Sequence, residues 1–71
     1  MRLINDKLLT KRENEIFMLL VEGYTHKQIA ETLEISISTV KTHVENLYDK
    51  LNIHDRVYML FYAIKNKIIE L

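Results

Sequence analysis

The fold of this chain is decided by residues 26–51, which read HKQIAETLEISISTVKTHVENLYDKL. A short amphipathic run comes first, with apolar residues on one helical side at Ile29, Ala30 and Leu33. A longer run follows, with apolar residues at four-three-four spacing at Val40, Val44, Leu47 and Leu51. Two helices joined by so short a connection cross steeply, so the stretch predicts a helix-turn-helix.

Helix-start signals predict the order of the helices around this motif. Thr25 with Gln28 forms one capping box, T-x-x-E at Thr10 forms another, and Ser36 opens the longer run. The first helix should begin at Lys11 and end near the only glycine, Gly23; the fourth should run from Arg56, after an Asp55 cap, to about Lys67. With no proline, a single glycine and many Leu, Ile, Lys and Glu residues, the composition favours an all-α chain.

The longer helix of the motif has two unlike faces. Opposite its apolar stripe lie polar residues with donors, acceptors and one methyl-bearing hydroxyl: Ser38, Lys41, Thr42, Glu45, Asn46 and Asp49. A helix that reads base edges in the major groove needs this composition. Periodicity alone favours an ordinary solvated face, and the base-reading interpretation stays open beside it.

Twenty residues in a fixed register along the chain carry a resemblance to a known family: Leu9, Thr10, Arg12, Glu13, Glu15, Gly23, Lys27, Ile29, Ala30, Leu33, Ile35, Ser36, Thr39, Val40, Lys41, His43, Asn46, Lys50, Leu51 and Arg56. In these residues the chain resembles the LuxR-type, or GerE-type, DNA-binding domain of bacterial transcription regulators. The resemblance implies a four-helix domain over residues 9–71, with its helix-turn-helix at about 26–45. Residues 1–8 show no clear period, which predicts an arm or linker remnant there. It also implies a third helix that enters the major groove and a fourth that forms a dimer.

Candidate contact residues follow from this docking. We expect base contacts from the start and middle of the third helix: Lys41 and Thr42 first, then Ser38, Glu45 and Asn46. We expect contacts to the DNA backbone from Thr25, His26, Lys27, Thr39 and Lys50. Two-fold docking predicts inverted half-sites about 10 bp apart on double-stranded DNA.

The fourth helix is apolar or aromatic nearly all round, reading VYMLFYAI over residues 57–64. We expect Met59, Leu60 and Ala63 to face the core. An outward patch would then remain for a homodimer, formed by Val57, Phe61 and Ile64. The alternative is that this patch covers the N-terminal arm or an upstream receiver or ligand-binding domain.

Charge and composition limit the function further. Lys plus Arg equals Asp plus Glu, at 10 each, so we expect one domain to bind DNA weakly, with few phosphate contacts and a modest salt dependence. The resemblance implies that four basic residues cluster on the docking side: Lys11, Arg12, Lys27 and Lys41. For Arg12 an ion pair with a neighbouring carboxylate is favoured over a phosphate contact. We expect no cofactor, no metal, no membrane partner and no enzymatic activity. The expected location is the bacterial cytoplasm, in association with the nucleoid. RNA polymerase is a further candidate partner.

Two other functions remain open on the sequence. A helical protein-interaction module could keep this fold without binding DNA, and the neutral charge and apolar fourth helix favour it. The promoter-binding end of a sigma factor also has a helix-turn-helix, but it does not account for the apolar fourth helix.

Overall fold

The computed structural model describes residues 8–68. Within this range the chain forms four helices and the expected all-α fold is confirmed: α1 Lys11–Val21, α2 His26–Leu33, α3 Ile37–Leu51 and α4 Arg56–Lys65. The predicted arm or linker remnant at residues 1–8 lies, except for Leu8, outside the described residues.

Each helix begins at the residue that the sequence predicted. Thr10 Oγ1 accepts from Glu13 N at 3.1 Å while Glu13 Oε1 accepts from Thr10 N at 2.9 Å. Thr25 and Gln28 repeat this capping box with the same two distances, 3.1 and 2.9 Å. Single side-chain caps open the other two helices, Ser36 for α3 and Asp55 for α4. These bonds satisfy N–H groups that have no partner inside a helix.

All four helices are followed by backbone with positive φ, at Gly23, Glu34, Asn52 and Lys67. Gly23, which follows the α1 cap, has a φ of +97° and confirms the predicted use of glycine. Glu34 and Asn52, the C-caps of α2 and α3, have φ of 57° and 56°. Asparagine tolerates this left-handed conformation better than most residues, whereas glutamate has no such advantage. The turn of the helix-turn-helix is therefore locally strained at Glu34.

The core is built around α3, because α1 and α2 both pack on it. The fourth helix packs on α1, where the rings of Phe17 and Tyr62 meet edge to face at 6.3 Å. The buried apolar residues form one cluster: Leu9, Ile16, Phe17, Leu20, Ile29, Ala30, Val40, Val44, Leu47, Leu51, Met59, Ala63 and Ile68. The predicted α3 stripe is wholly within it, so the two faces of α3 are confirmed.

The prediction for α4 was wrong in two respects. Leu60, expected in the core, is 37% exposed, because Met59 and Ala63 occupy the core-facing side and Leu60 lies about 100° around the helix from Met59. The helix also ends at Lys65, two residues before Lys67. Lys67 has a φ of 58°, and Ile68 N donates to Ala63 O at 2.8 Å. This turn brings Ile68 into the core.

Candidate nucleic-acid interface

The outward face of α3 is open to solvent along its length. All the polar residues that the sequence placed there are exposed: Ser38, Lys41, Thr42, Glu45, Asn46 and Asp49. The opposite stripe is held by α1 and α2, so α3 is fixed on one side and free on the other. This arrangement allows a groove of DNA to approach α3 without any change in the fold.

The hydroxyl groups at the start of α3 bond to one another. Ser36 Oγ accepts from Thr39 N at 3.1 Å and lies 2.8 Å from Thr39 Oγ1 and 3.1 Å from Ser38 Oγ. One turn later, Thr42 Oγ1 donates to Ser38 O at 3.0 Å. Since Thr42 has only one hydroxyl hydrogen, this bond leaves its side chain an acceptor and a methyl group to offer to a base.

Four of the five predicted backbone-contact residues lie in the cap or first turn of a helix. Thr25, His26 and Lys27 are at the start of α2 and Thr39 is in the first turn of α3. Of these, only His26 is half-buried; the others are exposed. N–H groups at helix starts carry partial positive charge, which favours phosphate.

Lys50 is set apart from these residues. It is in the last turn of α3, about 16 Å along the helix from Thr39 at about 1.5 Å per residue. Its Nζ lies 2.7 Å from Glu13 Oε1, and its side chain is 37% exposed. Because a lysine ammonium has further N–H donors, Lys50 can contact a phosphate while its bond to Glu13 stays in place. Any other approach to phosphate requires Lys50 to leave Glu13.

Glu13 is the buried partner of this pair, with 4% of its surface exposed. Burial raises the pKa of its carboxyl group, but hydrogen bonds from Lys50 and from Thr10 outweigh burial and hold the pKa below its ordinary value of 4.5. The sequence analysis treated Glu13 as a helix cap and did not find this second role. The T-x-x-E pattern explains only the cap, because the lysine lies 37 residues away along the chain.

Two arginines have structural partners. Arg12 Nη1 lies 3.3 Å from Glu15 Oε2, which confirms the ion pair favoured for Arg12. Arg56, to which the sequence analysis gave no role, donates from Nη2 to Leu20 O at 2.9 Å and to Tyr24 O at 2.8 Å. These bonds join the start of α4 to the connection between α1 and α2. No local pattern predicts them, because both acceptors are main-chain carbonyl groups.

An apolar surface remains on α4. Val57 is 59% and Phe61 61% exposed, whereas Ile64, the third predicted dimer residue, is half-buried. Tyr58 adds to this surface, with its ring 6.3 Å from that of Phe61. Leu60, expected in the core, adds to it as well. The outward surface is therefore broader than the three residues that the sequence analysis selected.

Neither a membrane span nor a metal cluster is found in the part of the chain that the structure describes. None of its helices has the length and apolar content needed to cross a bilayer. Over residues 8–68, no group of three or more His, Cys, Asp or Glu side chains is arranged to hold a metal ion.

Comparison with known proteins adds the family. The chain matches the response regulator protein VraR of Staphylococcus aureus (strain NCTC 8325 / PS 47), with 42% identity over 64 residues. The VraR proteins of S. saprophyticus and S. epidermidis match at the same identity. Each match covers 90% of this chain but 31% of the relative, so the chain spans about a third of the relatives' length. The GerE family model, described as bacterial regulatory proteins of the luxR family, matches residues 7–63. The chain therefore belongs to the luxR family of bacterial regulatory proteins, as a helix-turn-helix DNA-binding domain.

Proposed function

We propose that this domain binds double-stranded DNA as a homodimer on paired half-sites, with α3 in the major groove, and that it regulates transcription without catalysing a reaction. Membership of the luxR family gives DNA binding and transcription regulation. The observation that supports the docking mode is the exposed polar face of α3, whose opposite face is buried against α1 and α2.

In this proposal α3 reads the bases. Lys41 donates to the N7 and O6 acceptors of guanine. Thr42, whose hydroxyl hydrogen is bound to Ser38 O, accepts from an amino group or touches a thymine methyl. Glu45 accepts from cytosine N4, and the remaining base contacts come from Ser38 and Asn46.

The contacts that position the domain come from the helix starts. Thr25, His26 and Lys27 hold one phosphate strand at the start of α2, and Thr39 holds it at the start of α3. Lys50 contacts phosphate through donors that Glu13 leaves free. Few such contacts are available to one domain, which fits equal numbers of basic and acidic residues, 10 each. Two domains bound to one duplex supply the affinity that the few contacts of one domain do not.

The dimer forms through α4, with Val57, Phe61 and Ile64 packed on the same residues of a second copy. The exposure of Val57 and Phe61 supports this, because exposed apolar patches mark interaction surfaces. A two-fold axis between the domains places the two α3 helices in successive major grooves, about 10 bp apart. The domain then acts in the bacterial cytoplasm on the nucleoid, with RNA polymerase as a further partner.

The relatives' name supports a role as an output domain. Proteins called response regulators match over 31% of their length, which leaves room in those proteins for other domains. We propose that this domain likewise carries out the DNA-binding step of a signal-responsive regulator.

A gel-shift titration with increasing salt tests the proposal. Affinity for duplexes selected from a random pool should fall as salt rises, since each neutralised phosphate releases counterions. Failure to bind any duplex at low salt would contradict the proposal.

A second function, a helical interaction module without DNA binding, is favoured by the equal numbers of basic and acidic residues and by the exposed apolar surface of α4. It predicts self-association with no shift of DNA at low salt. The same titration, combined with sedimentation equilibrium, separates the two functions.

A further inference from the structure

The recognition helix begins with an exposed apolar side chain. Ile37 is the first residue of α3 and is 41% exposed. In the described part of the chain, the other large exposed apolar residues lie before α1 or on α4: Leu8, Val57, Tyr58, Leu60 and Phe61. Ile37 is therefore part of neither the core nor the surface proposed for the dimer.

Ile37 begins a row of side chains that continues with Lys41 and Glu45. The three residues are spaced by four, so they follow one another along one side of α3. Four residues of helix rise by about 6 Å, close to two base-pair steps of about 3.4 Å. Recognition helices place their N-terminal residues against base edges. A pose in which Lys41 reaches a base therefore brings Ile37 to the edge of a nearby base pair.

The surface beside Ile37 offers few free hydrogen-bond donors. Ser36, Ser38 and Thr39 share hydrogen bonds among their hydroxyl groups, and Thr42 donates to Ser38 O. Apart from one hydroxyl hydrogen, these four side chains leave only methyl groups and acceptor lone pairs for DNA. The C5 methyl of thymine is the apolar group that the major groove presents.

We propose that Ile37 is a specificity-determining residue that contacts the C5 methyl group of one thymine in each half-site. The inference rests on the proposed function, since it requires α3 in the major groove. It adds a position of base preference that hydrogen-bond readout by Lys41 and Thr42 does not supply.

The experiment removes the methyl group from the DNA and the side chain from the protein. The 71-residue chain selects duplexes from a random DNA pool. In the selected duplex each thymine is then replaced, in both half-sites, by deoxyuridine, which lacks only the C5 methyl group. Dissociation constants are measured by fluorescence anisotropy for the unmodified chain, for Ile37→Ala and for Ile37→Val.

At one thymine position, the loss of binding caused by deoxyuridine should depend on the side chain of residue Ile37. There, deoxyuridine should weaken binding of the unmodified chain about fourfold per half-site, as expected for one buried methyl group. Ile37→Ala should show no further loss at that position, and Ile37→Val should keep most of the discrimination. Equal unfolding midpoints for the three proteins will show that the change lies in binding, since Ile37 is exposed.

Three results would overturn this inference while leaving DNA binding intact. The first is that the selected sites share no thymine. The second is a loss from deoxyuridine that is the same in Ile37→Ala as in the unmodified chain. The third is that Ile37→Ala weakens binding to all duplexes by one factor, which indicates a sugar-phosphate contact. If the unmodified chain binds no duplex, the proposed function has failed and this inference fails with it.

Discussion

Lys50 Nζ lies 2.7 Å from Glu13 Oε1, so a charge pair joins the last turn of α3 to the first turn of α1. The same carboxylate oxygen accepts from Thr10 N at 2.9 Å. One buried side chain thus caps α1 and binds α3, the helix proposed to enter the major groove. The pair restrains the orientation of α3 relative to α1, on which the position of the exposed polar face of α3 depends.

Replacing Lys50 tests this link. Lys50→Met keeps the length of the side chain but leaves a buried carboxylate without its charged partner. The free energy of unfolding should fall by about 1–2 kcal/mol, less than for a fully buried pair because Lys50 is partly exposed. Urea unfolding measures the change. Lys65→Met, at an exposed position of α4, is the control, and an equal effect of both substitutions would contradict a role for the pair.

The pH dependence of stability should report on Glu13. Its pKa is lowered in the folded chain, so its contribution to stability is fully present above its unfolded value of 4.5 and is lost as the pH falls through the folded pKa. Glu13→Gln should therefore destabilise the domain at neutral pH, and the gap between the two proteins should narrow below about pH 4.5. Urea unfolding at a series of pH values measures this gap, and a gap that stays constant would refute the assignment.

The strained turn at Glu34 should be open to improvement. Glu34→Gly removes the Cβ at a φ of 57° and should raise the unfolding free energy by about 0.5–1 kcal/mol, after the greater freedom of glycine in the unfolded chain is subtracted. Asn52→Gly is the matched control at a φ of 56°, where the gain should be smaller because asparagine tolerates this backbone. Thermal unfolding of the three proteins tests the order.

The α4 surface should control self-association. Phe61→Asp places a charge on a side chain that is 61% exposed, so the domain should stay folded but lose its dimer. Sedimentation equilibrium measures the mass, and circular dichroism checks the helices. Thr32→Asp, which adds the same charge on an exposed position of α2, should leave the dimer unchanged. A dimer that survives Phe61→Asp would exclude this interface.

Lys41 should carry base preference. Lys41→Ala should weaken specific binding by about 1–3 kcal/mol and relax the preference at one base position. Lys65→Ala removes the same charge from α4, so comparing the two in the selection experiment separates base readout from net charge. Should both variants select identical sites with identical affinity, Lys41 has no role in readout.

Much of this fold follows from local sequence. The starts of all four helices were predictable, because each cap bonds to a residue three positions along, as Thr10 does to Glu13 and Thr25 to Gln28. The buried stripe of α3 was predictable from its spacing for the same reason: helical periodicity assigns residues to faces before any packing occurs. The candidate base contacts then followed from the polar composition of the opposite face and from the resemblance to the LuxR-type DNA-binding domain.

Tertiary structure alone decided the features that depend on distant residues. Periodicity could not show which side of the apolar α4 faces the core, and so Leu60 was placed there wrongly. Neither could it find the partners of Lys50 and Arg56, which lie more than thirty residues away. The sequence determined the helices and their faces because those depend on near neighbours, whereas packing chose among competing apolar faces and paired the buried Glu13 with Lys50.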